Sequence, residues 1–181
     1  IIPDGLKPLE QDERDFKVGA LLDLPDPKDI PPFFIDGGFA DGKIQEADDC
    51  AAFASIGACE LEDGLELDRE AYFAFAKAQS GAPESFGLDL RVAGMTAVKI
   101  GCLPRTERPA EIENKPLDFL RHLTNWPNVK RLIDLCIPYR KESIVFIDTS
   151  NGRDYFDNII STMWKFRDQK RAVVFGTLFD A

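Results

Sequence analysis

A cysteine stands at the point where a buried helix is expected to begin, a position at which a thiol can act as a nucleophile. Cys50 follows the acidic pair Asp48-Asp49, whose short carboxylates can accept hydrogen bonds from the free N–H groups of a first helical turn. The residues after Cys50 are apolar nearly all the way round the expected helix: Ala51, Ala52, Phe53, Ala54, Ile56, Ala58, Cys59 and Leu61. The positive end of the helix macrodipole favours a thiolate in the first turn. The alternative interpretation of Cys50 is a small buried hydrophobic residue, because unpaired cysteines are commonly buried.

The residues just before Cys50 affect the reactivity of its thiol and the stabilisation of an oxyanion formed during a reaction. Gln45 lies five residues upstream, and a side-chain amide in that region can donate a hydrogen bond to an oxyanion. Glu46, Asp48 and Asp49 are negative neighbours that disfavour a thiolate, whereas the helix dipole favours it. The sequence alone therefore predicts no strong thiolate at Cys50.

Two regions precede residue 105 and are expected to position this cysteine. Residues 1–44 are predicted to form an extended arm, since prolines at high density disfavour helix. Residues 45–104 are predicted to form a helical lobe, in which Asp68 caps the second helix and Asp89 caps the third. An aromatic stripe on the second helix is predicted to belong to the core rather than to a ligand site. It comprises Tyr72, Phe73 and Phe75.

Residues 105–181 are predicted to form part of a second lobe that mixes strands with helices. Prolines and charges over residues 104–116 indicate the joint between the lobes. Strands are expected over residues 143–147 and 173–175, which are rich in β-branched and aromatic side chains. Helices are expected over residues 117–120, 129–137 and 154–168. The inward face of the last helix is expected to contain Phe156, Ile159, Ile160, Met163 and Trp164.

The motifs of the first lobe occur in a characteristic order. They are Gln45, the run Cys50-Ala51-Ala52-Phe53-Ala54, the turn Gly64-Leu65-Glu66-Leu67, the segment Phe86-Gly87-Leu88, and the step Ile100-Gly101. This order resembles the papain-like cysteine peptidases, especially their compact bacterial and phage-borne branch. The resemblance covers residues 14–104 well and residues 137–181 loosely. The chain departs from the family at Ala51, where a tryptophan is usual, and in the spacing of Gln45, which is one residue closer to the cysteine.

The resemblance implies an α+β, papain-like fold and a thiol protease, a hydrolase acting on peptide or protein substrates. It implies catalytic roles for Cys50 as nucleophile and for Gln45 as oxyanion donor, and substrate-binding roles for Gly87 and Leu88. The family places its catalytic histidine late in the second lobe, whereas the single histidine of this chain is His122. A histidine without a neighbouring carboxylate carries no special catalytic signal. The catalytic histidine is therefore expected from a second chain or from a C-terminal segment outside residues 1–181.

Composition narrows the remaining possibilities. The net charge of −10 argues against a nucleic-acid partner, and the sequence has no apolar run long enough to span a membrane.

The four cysteines show no metal-site spacing, and we expect neither a metal nor a cofactor. Cys59 lies nine residues after Cys50, about 13.5 Å along a helix, so these two thiols cannot bond to each other. A reducing compartment is expected, either the cytoplasm or a virion-associated location.

A second functional class remains open from the sequence. The chain can instead be a catalytically inactive peptidase-like module that serves binding or structure, for example as a component of a phage particle. The long N-terminal arm suits docking onto a partner. A histidine motif beyond residue 181 in the intact gene product would distinguish the peptidase from the inactive module.

Overall fold

The computed structural model describes residues 6–7, 23–31, 49–82, 87–110, 129–145, 147, 154–169, 171 and 173–174. Its five helices of a turn or more are α1 (Cys50–Asp63), α2 (Arg69–Gln79), α3 (Leu90–Lys99), α4 (Val129–Cys136) and α5 (Tyr155–Phe166). Short 3-10 helices span Pro27–Asp29, Arg105–Glu107, Ile137–Tyr139 and Arg167–Gln169. The two strands are β1 (Leu6–Lys7) and β2 (Leu88–Asp89). The described part of the chain is therefore mainly helical.

Helix α1 begins at the residue where the sequence predicted it. Its first residue is Cys50, and the backbone carbonyl of Asp49 accepts a hydrogen bond from the Phe53 N–H at 2.9 Å. The predicted side-chain cap from Asp49 is wrong, because that carboxylate makes no capping hydrogen bond to the first turn. The helix ends at Gly64, whose φ of 68° is left-handed and whose N–H donates to the Glu60 carbonyl at 2.8 Å. Glycine adopts this conformation without the clash that a Cβ would cause.

The caps predicted for the next two helices are confirmed. Asp68 accepts a hydrogen bond from the Ala71 N–H at 3.0 Å, and Asp89 accepts one from the Arg91 N–H at 2.6 Å. The aromatic stripe on α2 is also confirmed as core, since Tyr72, Phe73 and Phe75 are all buried. Short carboxylates at helix starts and apolar helical periodicity are local signals, and here they agree with the tertiary packing.

Helices α1, α2 and α3 pack on one another to form the helical lobe. Polar bonds tie α2 to α3, since the Tyr72 hydroxyl donates to the Ala93 carbonyl and the Gln79 amide donates to the Thr96 hydroxyl at 3.0 Å. Small residues dominate the contact between the three helices, which lets their backbones approach closely. The core cluster of this lobe contains Ala51, Ala52, Ile56, Cys59, Leu67, Tyr72, Phe73, Ala76, Leu88, Ala93, Ala97 and Cys102.

Helix α4 was predicted over residues 129–137 and packs against the outer side of α2. Leu132 and Cys136 of α4 are buried in a second apolar cluster with Phe75. The end of α4 also lies close to Gly101, whose φ is +98°. A methyl group at Gly101 would overlap the carbonyl oxygen of Cys136. The glycine therefore permits the contact between the end of α3 and the end of α4.

The strand predicted over residues 143–147 is wrong for the described part of that segment, residues 143–145 and 147, which is not in a strand. The segment lies along α3: the Lys141 N–H donates to the Ala97 carbonyl at 3.0 Å, and the Ile144 side chain lies beside Gly94. A strand needs a hydrogen-bonded neighbouring strand, and among the described residues the neighbour of this segment is helix α3. Val173 and Val174 are half-buried but not in a strand, whereas Phe175 lies outside the described residues.

Helix α5 confirms a predicted helix but turns a different face inward. Asp154 caps it by accepting from the Phe156 N–H at 2.9 Å. The expected inward positions were wrong for Phe156 and Ile160, which are 56% and 38% exposed. The buried face contains Asn158, Ile159, Ser161 and Thr162. The Thr162 hydroxyl bonds the Asn158 carbonyl of its own helix at 2.7 Å, so that group can be buried without losing a hydrogen bond.

Candidate active site

The candidate nucleophile lies at the edge of the helical core. Cys50 is half-buried, whereas Cys59, Cys102 and Cys136 are buried, and none of the four is in a disulfide. The residue after Cys50 begins the fully buried face of α1, which runs through Ala51, Ala52, Ser55, Ile56 and Cys59. The packed helix therefore fixes the backbone at the first turn and leaves the thiol of Cys50 partly accessible.

The surroundings of Cys50 include a buried acidic residue. Asp49 is 6% exposed and immediately precedes the thiol. A negative charge on the adjacent residue opposes ionisation of a thiol, whereas the N-terminus of α1 favours ionisation. The predicted oxyanion donor Gln45 and the histidine His122 lie outside the described residues, so their places relative to Cys50 stay predictions.

The predicted substrate-binding segment lies at the start of β2. Gly87 has a φ of 68° and is buried, and the following strand packs against both α1 and α3. The Leu88 side chain is 2% exposed and belongs to the core cluster, so any contact of Leu88 with a substrate would come from its backbone. Strand β1 pairs with β2 in parallel, with Leu6 opposite Leu88 and Lys7 opposite Asp89. One edge of β2 is thus occupied by the N-terminal part of the chain itself.

A buried lysine that the sequence analysis did not single out holds this segment. Lys77 on α2 is 2% exposed, and its ammonium group donates to the Gly87 carbonyl at 2.6 Å. The same ammonium lies 5.6 Å from the centre of the Phe73 ring, within the range of a cation–π interaction. Lys77 stands four residues after Phe73, on the inner face of α2. The position of Lys77 within an apolar stripe of the helix was the signal in the sequence that could have identified this buried lysine.

A cluster of charges joins the start of α2 to the turn after α3. The Arg108 guanidinium contacts Glu70 and lies 3.4 Å from a carboxylate oxygen of the fully buried Asp68. Arg105 lies 3.7 Å from the same carboxylate. Burial raises the pKa of Asp68 above its usual range, while the Ala71 N–H and the two guanidinium groups act in the opposite direction. The Asp68 N–H also donates to the backbone of the segment that follows α3. This cluster stabilises the lobe and lies outside the candidate site.

Neither a metal centre nor a membrane span is found in the part of the chain that the structure describes. No group of three or more histidine, cysteine or acidic side chains there is arranged to hold a metal ion. Among the same residues, no helix combines the length and the apolar character that crossing a bilayer requires.

The chain was compared with protein-family models, with curated proteins and with solved structures. No family model, curated protein or solved structure matches it.

Proposed function

We propose that the chain is a papain-like cysteine peptidase, or the N-terminal portion of one, with Cys50 as its nucleophile. The observation that supports this most is the position of Cys50, the first residue of a 14-residue helix whose next two residues are buried. Cys50 is half-buried while the other three cysteines are buried. At this position the helix dipole favours the thiolate, and partial exposure would let a substrate reach the cysteine, although the neighbouring Asp49 opposes ionisation until a base is present.

In the proposed reaction, the Cys50 sulfur attacks the carbonyl carbon of a peptide bond and forms a covalent acyl intermediate. The backbone N–H of Cys50 and the side chain of Gln45 would stabilise the oxyanion. The proton of the thiol would go to a histidine supplied from outside residues 1–181, which then protonates the leaving amine. Water would release the acyl group and regenerate the thiol.

Substrate recognition is proposed for the segment around Gly87. The absence of a side chain at Gly87 would let an extended peptide backbone approach this segment, and β2 packs directly against α1. Lys77 supports the proposal because its bond to the Gly87 carbonyl fixes the orientation of this segment. The substrate would be a peptide or a protein, bound through main-chain hydrogen bonds as in the addition of a strand to a sheet edge.

The pairing of β1 with β2 favours a second candidate function. Leu6–Lys7 occupy one edge of the strand that would otherwise receive a peptide. This pairing suits a catalytically inactive, peptidase-like module with a binding or structural role. A component of a phage particle is the example that we consider, and its location would be cytoplasmic or virion-associated. In this case Cys50 would have no catalytic role.

Hydrolysis of a fluorogenic peptide library by the gene product that contains residues 1–181 would test the peptidase proposal. We expect Cys50→Ser to reduce activity by about 10⁴-fold or more, since a catalytic nucleophile is being removed. Cys136→Ser is the matched control, because Cys136 is a buried cysteine on α4. Equal activity of the Cys50→Ser variant and the unmodified protein would refute the assignment of the nucleophile.

The 181-residue chain alone provides a complementary test. Without a general base it should show no appreciable hydrolysis, because general acid–base assistance contributes about 10² to 10⁴-fold. Iodoacetamide should modify Cys50 selectively, since the other three thiols are buried, and at a rate near that of an ordinary free thiol. Robust hydrolysis by this chain, or rapid alkylation at about pH 6, well below an ordinary thiol pKa, would reveal a base within residues 1–181.

A further inference from the structure

Helix α5 has polar side chains on its buried face and large apolar side chains on its exposed face. Asn158, Ser161 and Thr162 are buried, whereas Phe156 is 56% exposed and Ile160 is 38% exposed. A helix at the surface of a globular protein normally buries its apolar face and exposes its polar one. Large apolar side chains on an outward face are typical of an interaction surface.

The apolar side chains of this outward face form a continuous stripe. Phe156, Ile160 and Trp164 recur every fourth residue, a spacing that places them on one side of a helix; we call these three residues the outer stripe of α5. The Tyr155 ring packs edge to face on Phe156, with 5.8 Å between ring centres. At the other end, the Arg167 guanidinium lies 4.1 Å from the centre of the Trp164 ring. Aromatic and arginine side chains are enriched at protein–protein interfaces.

The two ends of α5 carry charges of opposite sign. Asp154 caps the helix and Asp157 lies in its first turn, whereas Lys165 lies in the last turn and Arg167 follows it. If two copies of α5 lie antiparallel, the acidic end of each helix meets the basic end of the other. A two-fold axis generates this arrangement, because an isologous interface pairs one surface with the same surface of the second copy.

We infer that two copies of this chain associate through the outer stripes of α5, which lie antiparallel across a two-fold axis. Placing the axis at position 162 brings Ile160 to Trp164 of the partner subunit and Asp157 to Arg167 of the partner subunit, since both pairs are symmetric about that position. The apolar stripe supplies the contact area, and the opposite charges select the antiparallel orientation. This inference is independent of the proposed peptidase activity.

The dimer should be weak and should depend on protein concentration. A contact between two single helices is smaller than a standard interface of about 1,600 Å², and each copy carries a net charge of −10, so the copies repel each other at long range. We therefore expect a dissociation constant of about 10–100 µM. The acidic end of α5 disfavours the other apolar surface available to such a stripe, that of an anionic membrane.

Sedimentation velocity of the 181-residue chain in dithiothreitol, from about 5 to about 500 µM so that the expected dissociation constant is bracketed, tests the inference. The sedimentation coefficient should rise with concentration from that of a monomer to that of a dimer. Phe156→Glu should weaken association by about tenfold or more, because it places a charge within the apolar contact. Val145→Glu is the matched control: Val145 is 47% exposed and lies outside α5, so this variant should associate as the unmodified chain does.

A charge exchange tests the antiparallel orientation. Asp157→Arg and Arg167→Asp should each weaken association by about threefold or more, because each places like charges opposite one another. The double variant Asp157→Arg/Arg167→Asp should recover most of the lost affinity, since it restores opposite charges across the axis. Far-UV circular dichroism would establish that each variant is folded, and the unmodified chain tests self-association without any variant.

Four results would overturn the inference. The first is a chain that stays monomeric over the whole concentration range, including one that floats with vesicles of phosphatidylcholine and phosphatidylserine and so identifies a membrane as the occupant of the stripe. The second is an unchanged dissociation constant for Phe156→Glu. The third is association that continues beyond two copies, because an isologous two-fold contact closes at a dimer. The fourth is a double charge variant that associates no better than the single variants.

Discussion

Replacement of Gly101 by alanine tests the contact that joins the end of α3 to the end of α4. The backbone at Gly101 has a φ of +98°, and a side chain there adds strain of about 1–2 kcal/mol. The new methyl group would also overlap the Cys136 carbonyl oxygen and lie 2.9 Å from the carbonyl carbon. Overpacking of this kind costs about 1–3 kcal/mol. We therefore expect Gly101→Ala to lower the free energy of unfolding by about 2–5 kcal/mol, the sum of the two effects.

Two other glycines distinguish the free-energy cost of backbone strain from the cost of steric overlap. Gly64 has a φ of +68° and nothing within 4 Å of an added Cβ, so Gly64→Ala should cost only the strain of about 1–2 kcal/mol. Gly57 lies within α1, also with nothing within 4 Å. Gly57→Ala should stabilise the protein by roughly 0.5–1 kcal/mol, because alanine loses less conformational freedom than glycine in a helix.

Urea unfolding followed by far-UV circular dichroism would measure all three variants. With an m-value of about 2 kcal/mol per M, the middle of the usual range, the Gly101→Ala midpoint should fall by about 1–2.5 M and the Gly57→Ala midpoint should rise. If Gly101→Ala costs no more than Gly64→Ala, the end of α4 does not lie against Gly101. That result would refute the packing of α4 onto the helical lobe.

Three further predictions follow from the charged and paired groups. Lys77→Met should lower the free energy of unfolding by about 1.5–3 kcal/mol through loss of a charge-assisted bond to Gly87. Lys99 is exposed, so Lys99→Met should change the free energy of unfolding by less than about 0.5 kcal/mol. Equal effects of the two substitutions in thermal melts would contradict the role of Lys77. Burial raises the pKa of Asp68, so its contribution to stability is present below the unfolded pKa of about 3.9 and is lost as pH rises through the folded value. Asp68→Asn should remove this loss, and an unchanged pH profile of urea midpoints would argue against it. Deletion of residues 1–8 should increase peptide hydrolysis by the gene product that contains residues 1–181 if β1 blocks the substrate edge, and unchanged hydrolysis would show that it does not.

The helical lobe illustrates how much local sequence can determine. The positions of α1, α2 and α3 follow from apolar periodicity and from the carboxylates of Asp68 and Asp89, which act within one helical turn. The burial of the aromatic stripe on α2 follows from the same periodicity. Asp49 shows the limit of this reasoning, because a suitable cap residue stands at the right position and its side chain does not cap.

Strands and helix orientation were predicted less well because they depend on neighbours. Residues 143–145 have strand-like composition, but they lie along helix α3, and no strand among the described residues pairs with them. In α5, the sequence identified the helix and its cap at Asp154 but not the buried face. Phe156 lies outward while Ser161 lies inward, because the surrounding chain and not the helix decides which face is covered.

In the candidate site, too, some features follow from the local sequence and others depend on the packing of the fold. Residues a few positions away are enough to predict that Cys50 begins a buried helix and that Gly87 precedes a helix with a side-chain cap. Only the fold brings the Lys77 ammonium to the Gly87 carbonyl and the Tyr72 hydroxyl to the Ala93 carbonyl. These contacts join different elements, and their formation depends on the packing of whole helices, which no local pattern of residue types specifies.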